Sequence, residues 1–167
     1  QYKKYLPTLF LLVFLLVFAS SVNADTLGQN QSFYISPQYD AQSRTQVSAT
    51  LTAISEHAYF YVENGYWNGL RPDARNQVLN WIASLGNEFD SRIYPMETQF
   101  FGSEPNPGID NDPRITILLS PLIENAGGYF DTANGYSKSQ APSSNGREMI
   151  YINVTALGDQ RKVNAFL

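Results

Sequence analysis

Side chains that could perform catalysis are few and widely spaced along the 167 residues. The chain contains no cysteine, which excludes a thiol nucleophile, and its one histidine is His57. A catalytic zinc site needs three protein ligands, so a single histidine favours a structural or surface role over a metal ligand. No G-x-S-x-G pattern is present, and His57 precedes the loop serines at 139, 143 and 144, which reverses the Ser-then-His order of α/β-hydrolases. A serine hydrolase is therefore excluded.

Acidic side chains offer two further alternatives. The turn at 110–112, Asp-Asn-Asp, places three oxygen-bearing side chains together and could hold calcium, although Pro113 breaks the D-x-[DN]-x-[DN]-G spacing of a calcium loop. Asx turns use the same residues, so turn formation alone also explains them. Glu104 and Glu124 are single carboxylates, and a two-carboxylate glycosidase would have to assemble its acids from distant positions.

The residues that we expect to bind a ligand lie at the start of the stretch 145–154. Between Glu148 and Val154 the residues alternate, which predicts a strand with one buried face, and we expect this strand at the edge of a sheet. An edge strand can accept an extended peptide as a further strand. The alternative is a purely structural strand, because alternation indicates burial rather than use. The predicted substrate-binding residues are Asn145 and Gly146, which open the strand, and Met149 and Tyr151, which would flank the ligand.

The elements that must position this strand are also visible in the pattern. Apolar alternation predicts a strand over 47–53, aromatic and β-branched runs predict strands over 58–62 and 114–119, and residues 129–130 follow a glycine break. Apolar residues spaced by three and four predict a helix over 73–89. The predicted fold class is therefore α+β, with a mixed twisted sheet and a packed amphipathic helix.

Two predictions concern the ends of helices. Ile93 extends the apolar stripe of the long helix, and Pro95 is expected to end that segment because proline cannot donate to a continuing helix. Gly158 and Asp159 are expected to start another helix, whose apolar face begins with Val163.

The first residues are typical of an export signal. Lys3 and Lys4 precede an apolar run over 9–19, and small residues ending at Ala24 offer a cleavage site, so residues 1–24 are predicted to be a signal peptide. An uncleaved anchor is the alternative. The expected location is secreted or in the cell envelope, without stable membrane association after cleavage. Residues 25–46 are polar and without a sustained period, which indicates an exposed lead-in or the remnant of a pro-segment.

Charge excludes one class of partner. Removing the leader removes two lysines, which leaves 9 basic against 15 acidic residues and a net charge of −6. Binding of nucleic acid needs a clustered basic surface, and the sequence contains none. A protein or peptide is the expected partner.

Several phrases together resemble the secreted zinc metallopeptidases of the hyicolysin type, in the gluzincin group. The resemblance covers roughly residues 47–167, which would be the N-terminal part of a metallopeptidase catalytic domain. The phrases are Phe101-Gly102-Ser103-Glu104 with Pro107-Gly108-Ile109-Asp110, Asp112-Pro113-Arg114-Ile115, Gly128-Tyr129-Phe130, and Asn145 followed by Glu148-Met149-Ile150-Tyr151-Ile152-Asn153.

This resemblance implies a zincin-like upper lobe that is truncated before its metal site. In such enzymes the next helix carries H-E-x-x-H, whose two histidines bind zinc and whose glutamate is the general base. Zinc would belong to the full-length parent, with ligands beyond Leu167, and this chain alone would be inactive. The alternative is a non-catalytic secreted module that binds an extended peptide or a surface ligand through a sheet edge.

Overall fold

The computed structural model describes residues 24–103 and 108–157. The predicted leader, apart from Ala24, and the predicted helix after Gly158 lie outside the described residues.

A mixed sheet of six strands organises the described chain, in the order β1-β2-β3-β4-β6-β5. The first three strands pair antiparallel, β3, β4 and β6 run parallel, and β5 returns antiparallel beside β6. The predicted α+β class with a mixed sheet is confirmed, and so are the strands predicted near 47–53, 58–62 and 114–119. The strands are β1 (Asn30–Tyr34), β2 (Gln46–Ile54), β3 (Ala58–Glu63), β4 (Ile115–Ser120), β5 (Gly128–Phe130) and β6 (Met149–Asn153).

One long helix packs against the sheet, as its apolar spacing predicts. The helices are α1 (Asn64–Gly69), α2 (Pro72–Glu88) and α3 (Tyr94–Phe101), and a π-helical turn, Phe89–Ile93, joins the last two. Short 3₁₀ turns cover Thr132–Gly135 and Val154–Ala156. In the part of the chain that the structure describes, no helix combines the length and apolar character needed to cross a bilayer.

The prediction that Pro95 ends the helical segment is wrong. Pro95 stands in the first turn of α3, and the chain continues as helix to Phe101. A first-turn N–H has no acceptor within its own helix, so the missing donor of proline costs little there. Here proline therefore marks the start of the next helix and not the end of the preceding one.

The core lies on both faces of the sheet. On one face the stripe of α2, with Val78, Ile82 and Leu85, packs on the sheet; on the other, the polar loops and β1 cover a second apolar cluster. All residues of β3 and β4 are buried, as expected for parallel strands covered on both sides.

Two further predictions about the sheet are wrong. The strand from 148 to 154 is not at the edge, because β6 lies between β4 and β5, and Met149 and Tyr151 are both 1% exposed. Residues 25–46 are not an exposed lead-in, because they contribute β1, with Phe33 fully buried. Neither β5 nor β1 shows apolar alternation, because β5 has only three residues and β1, Asn-Gln-Ser-Phe-Tyr, has one buried residue.

Candidate functional site

A mostly apolar cleft of about 1170 Å³ opens between the α3 region and the β5–β6 end of the sheet. One wall consists of the π-helical turn and α3, with Ile93 and Phe101, and the other consists of Phe130 and Ile150. Phe101 is 83% exposed and Phe130 is 66% exposed. Two large aromatic side chains thus border an open cavity instead of entering a core, which is a common mark of a binding surface.

The edge of the sheet beside this cleft is β5. The amide of Asn153 donates to the carbonyl of Gly127 at 2.8 Å, and Tyr129 pairs with Tyr151 two residues further along. Because antiparallel pairs alternate in the direction of their hydrogen bonds, the N–H and C=O groups of Gly128 and Phe130 point away from β6. No strand pairs with β5 on that side within the described ranges. Gly128 is buried and does not line the cleft, whereas Phe130 is exposed and does. The backbone groups of Phe130 are therefore the ones placed to receive another extended chain.

Asn145 and Tyr151 are brought together, but their polar groups are engaged with the protein itself. Asn145 Oδ1 accepts from the Tyr34 amide at 2.8 Å, and its Nδ2 donates to the Tyr34 carbonyl at 2.9 Å. The hydroxyl of Tyr151 also donates to the Tyr34 carbonyl and accepts from Asn134. These bonds fasten the loop before β6 to the outer side of β1, and a substrate contact by either residue stays a prediction.

Of the other two predicted residues, one lines the cleft. Gly146 has a positive φ of 65°, and its amide donates to Ser144 Oγ at 2.9 Å, which forms the turn that leads into β6. Met149 lines the cleft together with Glu148 and Ile150, although only 1% of its surface is exposed. The sequence reasoning missed Phe130, Glu97 and Glu148 as residues of the cleft wall. A signal existed only for Phe130, which lies in the short stretch after the paired glycines.

A buried ion pair holds the segment that enters β6. Arg147 Nη1 lies 2.6 Å from Asp25 Oδ2, and the two side chains are only 11% and 7% exposed. Asp25 also accepts from the hydroxyl of Tyr61 at 2.8 Å, and Arg147 donates to Thr116 Oγ1 at 3.1 Å. Burial alone would raise the pKa of Asp25, but the hydrogen bond and charge of Arg147 outweigh it and lower that pKa. Burial and the Asp25 carboxylate together raise the pKa of Tyr61.

His57 has a structural environment. Its Nδ1 lies 3.2 Å from Asp90 Oδ1, and its ring stacks on that of Tyr94 with centroids 4.0 Å apart. Asp90 also accepts from the amide of Glu56 at 2.8 Å and from Ser55 Oγ at 3.0 Å. This group ties the β2–β3 turn to the π-helical turn and α3, which form one wall of the cleft.

The acidic turn at 110–112 is bonded within the protein. Asp112 accepts from the Tyr59 hydroxyl at 2.7 Å and from the Arg114 amide at 2.9 Å, and Asp110 Oδ1 accepts from the Asp112 amide at 3.0 Å. Across the residues that the structure describes, no group of three or more His, Cys, Asp or Glu could hold a metal ion. The Asx-turn interpretation accounts for these contacts, and calcium stays a prediction.

Acid should destabilise the fold through three carboxylates. In Asp25, Asp40 and Asp90 burial raises the pKa, but hydrogen bonds from the protein outweigh it and hold the pKa below the ordinary value of 3.8. A carboxylate whose pKa is lowered by folding stabilises the folded protein above its ordinary pKa. That contribution is lost as the pH falls through the pKa of the folded state. The pKa of Asp110 is raised, mainly by burial, so its contribution to the stability of the fold increases as the pH falls. We expect the urea midpoint to fall between pH 6 and pH 3, and equal midpoints would contradict this.

Comparison with known proteins assigns this chain to no family. No family model matches the chain. No curated protein matches it either. The resemblance to the hyicolysin type therefore enters the functional interpretation only as a hypothesis.

Proposed function

We propose that this chain is the front portion of a secreted zinc-dependent endopeptidase, and that a protein or peptide substrate binds in extended form along β5. The observation that carries the peptide-binding part is the exposed, outward-facing backbone of Phe130 in β5 beside an apolar cleft. The motif phrases and their order support the peptidase part, together with the predicted signal peptide.

Between the two edges of the sheet, β5 suits a peptide better than β1. At β1 the outward amide and carbonyl of Tyr34 are both bonded to the side chain of Asn145, which occupies the position that another strand would take. At β5 the residue Phe130, whose backbone groups point away from β6, is exposed and borders the cleft. Main-chain pairing tolerates many side chains, which suits an enzyme that cleaves varied sequences.

The catalytic groups of the proposed parent are assigned to sequence after Leu167. Zinc in such a site polarises the scissile carbonyl and lowers the pKa of its bound water to about 7. The described residues form no cluster that fits this ion, so no catalytic step is assigned to them. Their proposed part is to bind the substrate and to fix its orientation, which is a large contribution to peptide hydrolysis.

Proline at position 130 should weaken peptide binding more than alanine does. The N–H of Phe130 points away from β6, so Phe130→Pro keeps the β5–β6 pairing and removes one donor to the peptide. Phe130→Ala removes the ring and keeps the donor. One hydrogen bond corresponds to a further loss of roughly two- to tenfold in affinity. The measurement is fluorescence anisotropy of a labelled decapeptide of alternating leucine and glutamine, with circular dichroism to check folding. Equal affinities of the two variants would contradict strand addition.

The alternative function is a non-catalytic secreted module that uses the same edge and cleft. Both functions predict peptide binding, so the discriminating observation is the coding sequence that follows Leu167. An H-E-x-x-H motif within the next helix supports the peptidase, and an extended product should then lose its peptide-cleaving activity to a zinc chelator. A stop codon or an unrelated linker at that place supports the binding module.

A further inference from the structure

We propose, on the basis of the function proposed above, that the cleft selects extended peptides in which a basic side chain accompanies a bulky apolar one. Two glutamates give the cleft its charge. Glu97 lies on the α3 wall, and Glu148 lies on the opposite wall, immediately before β6. Among the described residues that line the cleft, no lysine or arginine accompanies them.

The arginine that is nearest to Glu148 in sequence forms its ion pairs with aspartates instead. Arg147 immediately precedes Glu148, but its guanidinium is held by Asp25 at 2.6 Å and lies 3.8 Å from Asp110. Arg147 lies in a bend, and Glu148 lies between that bend and β6. The negative charge of Glu148 is therefore presented toward the cleft without a compensating cation from its neighbour.

The position of Glu148 is fixed by the backbone of the preceding turn. Its Oε1 accepts from the amide of Ile109 at 3.3 Å, and its carboxylate lies so close to Gly108 that a Cβ there would be 2.3 Å from Oε2. Gly108 has a φ of 78°, a backbone conformation that favours glycine. A carboxylate held by its surroundings loses less side-chain entropy when it binds a cation than a mobile one does.

The remaining surface of the cleft determines the second part of the preference. Phe101 and Phe130 are largely exposed, and Ile93 and Ile150 line the same cleft. In a peptide that pairs with β5, alternate side chains face the cleft, so an apolar residue and a basic residue two positions apart enter it together. The net charge of −6 after removal of the leader further favours the approach of a cationic peptide.

The test compares three labelled decapeptides with the purified chain at physiological salt. Each alternates small polar residues with cleft-facing positions, which carry leucine and arginine, leucine and glutamine, or leucine and aspartate. We expect the arginine peptide to bind most tightly and the aspartate peptide most weakly. Glu97→Gln and Glu148→Gln should each lower the affinity for the arginine peptide about fivefold and leave the affinity for the glutamine peptide unchanged.

The matched control is Glu124→Gln, which makes the same change of charge on an exposed loop away from the cleft lining. It should leave the preference for arginine intact. If the three peptides bind equally, or if Glu124→Gln removes the preference as fully as the cleft variants do, the charge selection is wrong and peptide binding stands. If none of the peptides binds, both the selection and the proposed function are wrong.

Discussion

Replacement of Arg147 by methionine is expected to lower the free energy of unfolding by about 3–5 kcal/mol. Arg147 is 11% exposed and its partner Asp25 is 7% exposed, so the substitution leaves a carboxylate buried without its counter-ion. Removing one member of a buried pair costs much more than removing both, because the remaining charge has lost its hydration and its counter-ion. Asp25 would keep only its hydrogen bonds from Tyr61 and Gln29. The measurement is urea unfolding followed by tryptophan fluorescence at pH 7.

Two further variants separate this explanation from simple loss of packing. The double variant Arg147→Met with Asp25→Leu removes both charges and should recover part of the lost stability. Arg71→Met removes an arginine that is 83% exposed in its pair with Asp73, and it should change the free energy of unfolding by no more than about 0.5 kcal/mol. A double variant as unstable as Arg147→Met alone would show that the uncompensated carboxylate is not the cause.

The Asp25–Arg147 pair also connects stability with the cleft. Arg147 stands between the turn at Gly146 and Glu148 of the cleft wall, so the ion pair fixes where the chain enters β6. The carboxylate that holds it comes from the start of the described chain, 122 residues earlier in sequence. A loss of this pair should therefore change peptide binding as well as stability, although Arg147 itself does not touch the proposed peptide.

The strongly periodic elements could be predicted from sequence because their burial repeats over many residues. In α2 the apolar residues Val78, Ile82 and Leu85 recur over about two turns, and all three are buried. In β2 the buried residues alternate from Val47 to Leu51, and β4 is a continuous β-branched and leucine run. In α2 and β2 the pattern distinguishes one period from another, whereas in β4 the β-branched residues and the turn before them indicate a strand.

The arrangement around β6 could not be predicted in the same way. Its residues alternate, but alternation does not reveal what covers the second face, and here the side chains of Met149 and Tyr151 are buried there by loops and β1. The partner on its outer side is β5, whose three residues carry no period. The edge of the sheet is therefore β5 and not the predicted β6, and the candidate peptide site is at Phe130.

The other contacts of the site are non-local, which explains why the sequence did not indicate them. The two walls of the cleft come from α3 and from the β5–β6 region, about 30–50 residues apart in the chain. The side-chain amide of Asn145 is hydrogen-bonded to the backbone of Tyr34, 111 residues earlier in the chain. Pairings over such distances depend on the order of the strands in the sheet, and local propensity does not predict that order.

Replacement of Phe60 by alanine is expected to lower the free energy of unfolding by about 3–5 kcal/mol. Phe60 is 1% exposed in β3, a strand that pairs on both sides with β2 and β4. Its ring packs against α2 so closely that a Cβ added at Gly86 would lie 3.4 Å from Phe60 Cε2. The helix and the sheet meet at this contact, and neighbours on a sheet fixed from both sides can relax only partly into the space that alanine leaves.

The matched control is Phe100→Ala in α3, which removes a ring of the same size that is 74% exposed. It should change the free energy of unfolding by no more than about 0.5 kcal/mol, because little apolar surface is returned to water. The comparison uses urea unfolding of both variants at pH 7, with the midpoint and slope fitted separately. If Phe60→Ala cost no more than Phe100→Ala, then the packing of α2 on the centre of the sheet would not be what stabilises this fold.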